Sequence, residues 1–599
     1  MLYPKQSKSR TLIDLSGIWS FQIEKGNEKI DPAKELPDKL QIAVPASFND
    51  QLLSREIRNH AGYFYYQRNF VIPKTLENER IFLYFGSATH EAWVYINGEE
   101  VCHHKGGFTP FQVEINDYIK DENLLTVKMN NILDYSTLPV GNYSKTEDEN
   151  GNVVHKVDEN FDFFNYAGLN RPVKIYTCPK TFVEDIVIVP EINFDENYAD
   201  LFCDVKINGD YDNLELTVID EDGKEVLKSS ENNLRLKNPN LWWPLNSYLY
   251  KLKVDVYKNS EIIDTYEEEF GIRKVEVKNG KFLINNEPFY FKGFGKHEDS
   301  YVNGRGLNEA LNVLDINLIK DMGANSIRTS HYPYSEEMMR LCDREGIVVI
   351  DEVPAVGLLS GFDFNPENLE SFKDDGTWEK MNTLSHHKDV IRELIARDKN
   401  HACVVMWSLA NEAANFSNGA HEYFKEIFDL AKNHDPQKRP CTYINFMMSL
   451  PETDLTADLT DVICLNRYYG WYVDTGDLEK ASRDVYEELN KWQEKYPDKP
   501  IMYTEYGADT VAGFHSLYGE PFTEEFQESY YRAYSEVFDK FENFVGEQVW
   551  NFADFQTKFG TARVQGNKKG IFTRVREPKK AASYLKNRWR SIPNFNYKK

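Results

Sequence analysis

Over roughly the last 325 residues, short apolar runs recur and each ends in a cluster of polar side chains. The runs lie at 289–293, 326–330, 347–350, 404–407, 441–444, 461–465, 501–504 and 548–550. Their lack of polar alternation is how strands buried on both faces read. Amphipathic helix patterns separate several of them, such as Glu336 to Glu345, stopped by Gly346. Eight buried strands interleaved with helices predict a (β/α)8 barrel over 273–599. A doubly wound sheet would show about six strands and a phosphate loop after the first. Gly293-Phe294-Gly295 lacks that loop's third glycine.

A chain of 599 residues exceeds what one hydrophobic core supports, so further domains are expected upstream. Residues 1–178 read as many short strands with turn signals, Asn97-Gly98 above all, and almost no helical periodicity. This pattern predicts a jelly-roll β-sandwich. Residues 179–272, with about seven short strands and turns at Asn208-Gly209 and Asp222-Gly223, predict an immunoglobulin-like sandwich. No Cys…Trp…Cys pattern supports a disulfide-bonded antibody-type domain.

The net charge of −26 is spread along the chain, which argues against nucleic acid or an anionic membrane as partner. No stretch of about 18 apolar residues is present and Met1 to Arg10 carries no apolar signal core, so a soluble, cytoplasmic protein is expected. The seven cysteines are scattered and form no C-x-x-C; neither a disulfide framework nor a thiolate site is expected. With no H-E-x-x-H among the histidines, a catalytic zinc of that type is not supported.

Polar residues concentrate just after the barrel runs: His297-Glu298-Asp299, His331, Asp351-Glu352, Asn411-Glu412, Asn466 to Tyr469, Glu505, and Asn551 to Asp554. Strand ends are polar wherever they reach solvent, which accounts for part of this set. Barrel enzymes also build their sites at that face. Glu412 and Glu505 each close a buried run. If the two meet, one as acid and one as nucleophile, a glycoside is cleaved with retention. Arg328, Asn466 and Tyr506 are candidates to hold Glu505 ionised by donating to it. A metal site built from the same acids and histidines is the competing chemistry. Acyl transfer is disfavoured, because no G-x-S-x-G elbow occurs.

Met406-Trp-Ser-Leu-Ala-Asn-Glu412 and Thr504-Glu-Tyr-Gly507 resemble the acid/base and nucleophile signatures of glycoside hydrolase family 2. The expected domain order is similar to that family's as well. Phe161 to Gly168, Arg328 to Tyr334, Cys464 to Tyr472, Gly546 to Asp554 and Gly566-Asn-Lys-Lys-Gly570 resemble its bacterial β-glucuronidase branch. The resemblance spans nearly the whole chain. It implies Glu412 as general acid/base, Glu505 as nucleophile and Asn411 as ligand of the sugar 2-hydroxyl. It further implies Asp162 as acceptor from sugar hydroxyls, and His331, Asn466, Tyr468, Tyr472 and Trp550 as pocket lining. Asn567 and Lys569, with Arg563 nearby, would grip the glucuronate carboxylate. On composition alone Lys568-Lys569 reads as a solvated basic turn, Asp162 as a cap and Trp550 as core.

The implied activity is exo-acting hydrolysis of β-glucuronides, small molecules or oligosaccharides, by a homotetramer that needs no metal or organic cofactor. A relative acting on galacturonides, galactosides or mannosides is the nearest alternative, and a carbohydrate-binding protein without catalysis a more distant one. Residues 358–382 read as a long insertion after the third barrel run, of the kind that overhangs the aglycone site in this branch.

Overall fold

The structure, a computed structural model, describes residues 1–360 and 376–598. The N-terminal part is a sandwich of two antiparallel sheets. In the six-stranded sheet the order is Leu40–Val44, Gly17–Ile23, Tyr63–Phe70, Asn123–Asn130, Glu91–Ile96 and Glu99–Lys105. The facing sheet runs Leu12–Asp14, Val173–Cys178, Arg80–Phe85 and Phe111–Glu114. Alternate residues such as Trp19, Phe21, Phe64, Tyr66, Leu83 and Val127 fill the space between them. The Asn97-Gly98 turn forms as its sequence demands, with both residues at positive φ (54° and 88°). A second hairpin, Gly141–Glu147 with Val153–Glu159, leaves the sandwich, and its base reaches the barrel.

The next domain has three strands facing four, the seven expected of an immunoglobulin-like fold. Its last strand, Glu261–Phe270, leads into Arg273, whose guanidinium donates to the carbonyls of His401, Ala402 and Val404 at the barrel floor.

The remainder is a closed parallel barrel of eight strands, and every residue in them is buried. We number them β1 Phe291–Lys296, β2 Ser326–Thr329, β3 Val348–Glu352, β4 Val404–Asn411, β5 Cys441–Asn445, β6 Ile463–Asn466, β7 Ile501–Glu505 and β8 Phe544–Val549. β1 starts two residues later than its apolar run, because Gly293 and Gly295 are strand residues. A Cβ on Gly293 would sit 1.8 Å from the Ser326 carbonyl oxygen, and one on Gly295 would meet the Trp550 ring at 2.6 Å. These glycines let β1 approach β2 and the end of β8. The helix Glu336–Glu345 is capped by Ser335, whose hydroxyl accepts from Met338 N–H, and ends on Gly346 at φ 70°. Residues 361–375 of the expected insertion lie outside the described residues; its flanks are described.

Candidate active site

A cavity of about 500 Å³ opens at the C-terminal ends of the strands. Its walls combine strand ends of the barrel with the jelly-roll segment 158–162. Of the twelve residues singled out above, ten line it: Asp162, His331, Asn411, Glu412, Tyr468, Tyr472, Glu505, Trp550, Arg563 and Asn567. Asn466 and Lys569 lie directly behind that wall, each almost wholly buried.

Glu412 and Glu505 face each other across the cavity in unlike surroundings. β4 slips register against β5 between Ser408 and Asn411, and Glu412 takes up a left-handed φ of 50°. These two irregularities turn Asn411 and Glu412 toward the cavity. Burial, reinforced by the negative charge of Glu505, pushes the Glu412 carboxyl up to about 8. Asn466 Nδ2 donates to Glu412 Oε1 (2.9 Å), and its own oxygen is oriented by Thr504 Oγ1 (3.0 Å).

Glu505 instead receives charge-assisted hydrogen bonds. Arg328 Nη2 donates to Oε1 and Tyr468 OH to Oε2 (2.7 Å). Of the three donors expected for it, only Arg328 serves. Asn466 turns to Glu412, and Tyr506, the next residue along the chain, points to the opposite side and donates to Glu547 (3.3 Å). Tyr468 supplies the contact assigned in advance to those two.

Behind Arg328 stands Glu352, the last residue of β3 and fully buried. Arg328 Nη1 donates to both its oxygens (2.9 and 2.8 Å), Ser408 Oγ donates at 2.7 Å, and His331 Nδ1 lies at 2.9 Å. Burial opposes ionisation of Glu352, but Arg328, His331 and the Ser408 hydrogen bond together outweigh it and the carboxyl falls below its ordinary range. His331 Nε2 lies 3.7 Å from Glu505, and the imidazole stacks on Trp550 with ring centroids 5.0 Å apart.

At the far end of the cavity, two cations and two carboxylates interlock. Arg563 grips Asp162 (2.7–3.0 Å) and reaches Asp509 (3.3 Å) and Tyr472 OH (2.6 Å). Lys569 Nζ donates to Asp509 (2.5 Å) and Tyr472 OH (2.7 Å) and lies 4.7 Å from the Tyr472 ring centre. Asn567 Nδ2 donates to Asp162 (2.9 Å). Burial works against the Asp509 charge, yet Lys569 and then Arg563 hold its carboxyl below the usual range. Lys568, the exposed-looking half of the doublet, turns instead toward Asp554 (3.7 Å).

Asp509 and the role of Glu352 were missed by sequence reasoning. Asp509 had a usable signal, an acid four positions beyond Glu505 on the same strand-end loop. Glu352 was one of several polar strand ends, and nothing local tells which cation it meets. Among the described residues one group could hold a metal ion, Asp343, His401 and Cys403, at the opposite end of the barrel. There Asp343 already accepts from Cys403 N–H (2.7 Å) and lies 2.5 Å from His401 Nδ1.

Three family descriptions tile the chain: "Glycosyl hydrolases family 2, sugar binding domain" over 12–179, "Glycosyl hydrolases family 2" over 181–273, and "Glycosyl hydrolases family 2, TIM barrel domain" over 275–594. A β-glucuronidase of Streptococcus agalactiae is 51% identical, with 100% of this chain and 99% of that protein covered. That of Felis catus is 41% identical, covering 99% and 93%. Among solved structures, the Bifidobacterium dentium β-glucuronidase complexed with coumarin-3-O-glucuronide superposes with a TM-score of 0.91 at 42% identity, over 100% of both chains. The Ruminococcus gnavus β-glucuronidase in complex with uronic isofagomine gives 0.92 at 38%, over 98% of both. With its three domains in the family's order and relatives this similar over the full length, the chain belongs to glycosyl hydrolase family 2.

Proposed function

We propose that the chain is a retaining, exo-acting β-glucuronidase and that the residues above divide its work. The carrying observation is the Lys569–Asp509–Arg563–Asp162 cluster, buried at Lys569 and Asp509 and open to the cavity at Asp162, with Asn567, at the end of a cavity that also holds Glu412 and Glu505. A neutral sugar has no use for two cations there, whereas a uronic acid carboxylate does. Asn567 and Lys569 take the carboxylate with Arg563 beside them, Asp162 accepts from ring hydroxyls, and Asn411 binds the 2-hydroxyl. His331, Tyr468, Tyr472 and Trp550 enclose the ring, and Asn466 supports Glu412 from behind.

Glu505, ionised and held by Arg328 and Tyr468, attacks the anomeric carbon as the bond to the aglycone oxygen breaks. That oxygen takes its proton from Glu412. The product of this step is a glycosyl ester on Glu505, and the carboxylate charge that helped raise Glu412 is gone. Glu412, now ionised and of lower proton affinity, removes a proton from water as it attacks the same carbon. Glu505 leaves as carboxylate, and net configuration is retained. No helix is long and apolar enough to cross a membrane among the described residues. A homotetramer in the cytoplasm, with domain borders near residues 178 and 272, completes the proposal; sedimentation and limited proteolysis test assembly and borders.

Matched nitrophenyl β-glucuronide, galacturonide, galactoside and glucoside decide the substrate class. The glucuronide should show the highest kcat/KM. A galactoside or galacturonide turned over faster would move the chain to a related family 2 specificity.

A further inference from the structure

Arg328 lies between two carboxylates, donating through Nη1 to Glu352 and through Nη2 to Glu505, and all three side chains are buried. Resting on the proposed role of Glu505 as nucleophile, we infer that Glu352 is a positioning residue that keeps Arg328 paired while Glu505 is esterified. In the free enzyme one cation serves two anions. When the anomeric carbon bonds to Glu505, that carboxylate becomes a neutral ester. A guanidinium with no other partner would then be a buried, uncompensated charge, among the costlier arrangements in a protein interior. Glu352 prevents this, since its two contacts to Nη1 do not depend on the state of Glu505. Arg328 Nε has no hydrogen-bond partner among the described residues, and the other groups near Nη1, Asn411 Oδ1 (3.5 Å) and His331 Nδ1 (3.2 Å), are no carboxylates, so no third anion shares the load.

The same carboxylate sets two further groups. Ser408, on β4, spends its hydroxyl on Glu352, tying β3 to the strand that carries Asn411. Glu352 also lies 2.9 Å from His331 Nδ1, which fixes the imidazole at the cavity wall with Nε2 3.7 Å from Glu505. The backbone N–H of Glu352 is held by Thr329 Oγ1 (2.8 Å), so its side chain is aimed from a fixed base.

A packing role and a charge-holding role differ kinetically. Without the Glu352 charge, the glycosyl-enzyme is raised relative to the free enzyme. Its formation then slows, while its hydrolysis, which restores a partner to Arg328, does not. A 2-deoxy-2-fluoroglucuronyl fluoride separates the steps: the labelling rate reports ester formation, and recovery of activity reports hydrolysis. Mass spectrometry of the labelled parent comes first. A label on the peptide carrying Glu505 upholds the nucleophile assignment whatever Glu352 does, and a label elsewhere removes that assignment. In Glu352→Gln, labelling should slow by about 100-fold or more, with recovery unchanged or faster. Glu352→Asp keeps the charge but withdraws it by one methylene; labelling should slow several-fold, again with no slower recovery, and this variant carries the test if the Gln form does not fold. Labelling at the parent rate in either folded variant, or labelling and recovery slowed together, would overturn the inference.

Discussion

Glu412 and Glu505 are identical side chains in opposite surroundings, and the duties proposed for them follow from that difference. Burial beside a second carboxylate keeps Glu412 protonated up to about pH 8, while Arg328 and Tyr468 donate to Glu505. Because the acid must hold its proton when the aglycone departs, kcat/KM should stay level just below that pH, as long as Glu505 remains ionised, and fall about tenfold per unit above it. A profile on an aryl glucuronide checks this, and a basic limb unchanged in Glu412→Gln would contradict it. Glu505→Gln should abolish turnover with the circular dichroism spectrum intact. Lys569→Ala leaves Asp509 short of a buried partner and the substrate carboxylate short of a cation, so it should cost about 2–5 kcal/mol in kcat/KM on a glucuronide. On the matching glucoside the loss should be much smaller, and equal losses would rule out the carboxylate grip. The two carboxylates were legible because each closes an apolar run. Asp509 and Glu352 were not, since the cations they meet lie 60 and 24 residues away along the chain.

At the scale of elements, the hairpin Gly141–Glu147/Val153–Glu159 and the segment after β3 are joined by a relay of side chains. Tyr135 OH donates to Asn142 (2.8 Å), Asn142 Nδ2 to Asn160 (2.6 Å), and Asn160 Nδ2 to the carbonyls of Gly357 (3.3 Å) and Leu359 (3.1 Å). Val140 N–H donates to Val356 O alongside (3.0 Å). Tyr135, Asn142, Asn160, Gly357 and Leu359 all line the cavity, so the relay runs along its wall. Asn160→Ala should cost about 1 kcal/mol of stability and raise KM for bulky aglycones more than for nitrophenol. A KM change independent of aglycone size would argue against the relay. The strands themselves were readable from their apolar runs, and the helix 336–345 from its cap and its stopping glycine. The relay was not, because hairpin asparagines have the same local signature whether they meet water or another domain.

Across the whole molecule, apolar side chains run through the domain borders, Phe108, Phe161 and Phe163 of the jelly roll and Trp242 and Leu249 of the middle domain packing into the barrel's core, and buried polar side chains pin the same borders. Arg171 of the jelly roll donates to Phe108 O (2.5 Å) within its own domain and, across the border, to Pro333 O (2.7 Å) and Glu298 (3.3 Å). Asn400 exchanges two hydrogen bonds with the backbone of Ile186 and Ile188 in the middle domain. Arg171→Ala removes a buried cation from Glu298 and should cost about 3–5 kcal/mol. Calorimetry should then resolve a jelly-roll transition below that of the barrel, and a single transition shifted as a whole would show that other contacts carry the border. Domain order was legible from the change in texture near residue 272, where short alternating strands give way to apolar runs and helices. The docking was not, because Arg171 and Asn400 carry no periodicity of their own.

The ion pair between Asp162 and Arg563 joins positions 401 residues apart. A nascent chain emerges N-terminus first at roughly 5–20 residues per second, so the jelly-roll side of the cavity is made about 20–80 s before its counterpart. Throughout that interval a folded N-terminal domain carries half a binding site and no chemistry. Activity switches on only when the C-terminal stretch arrives and docks, which makes turnover itself a report that synthesis reached at least residue 569.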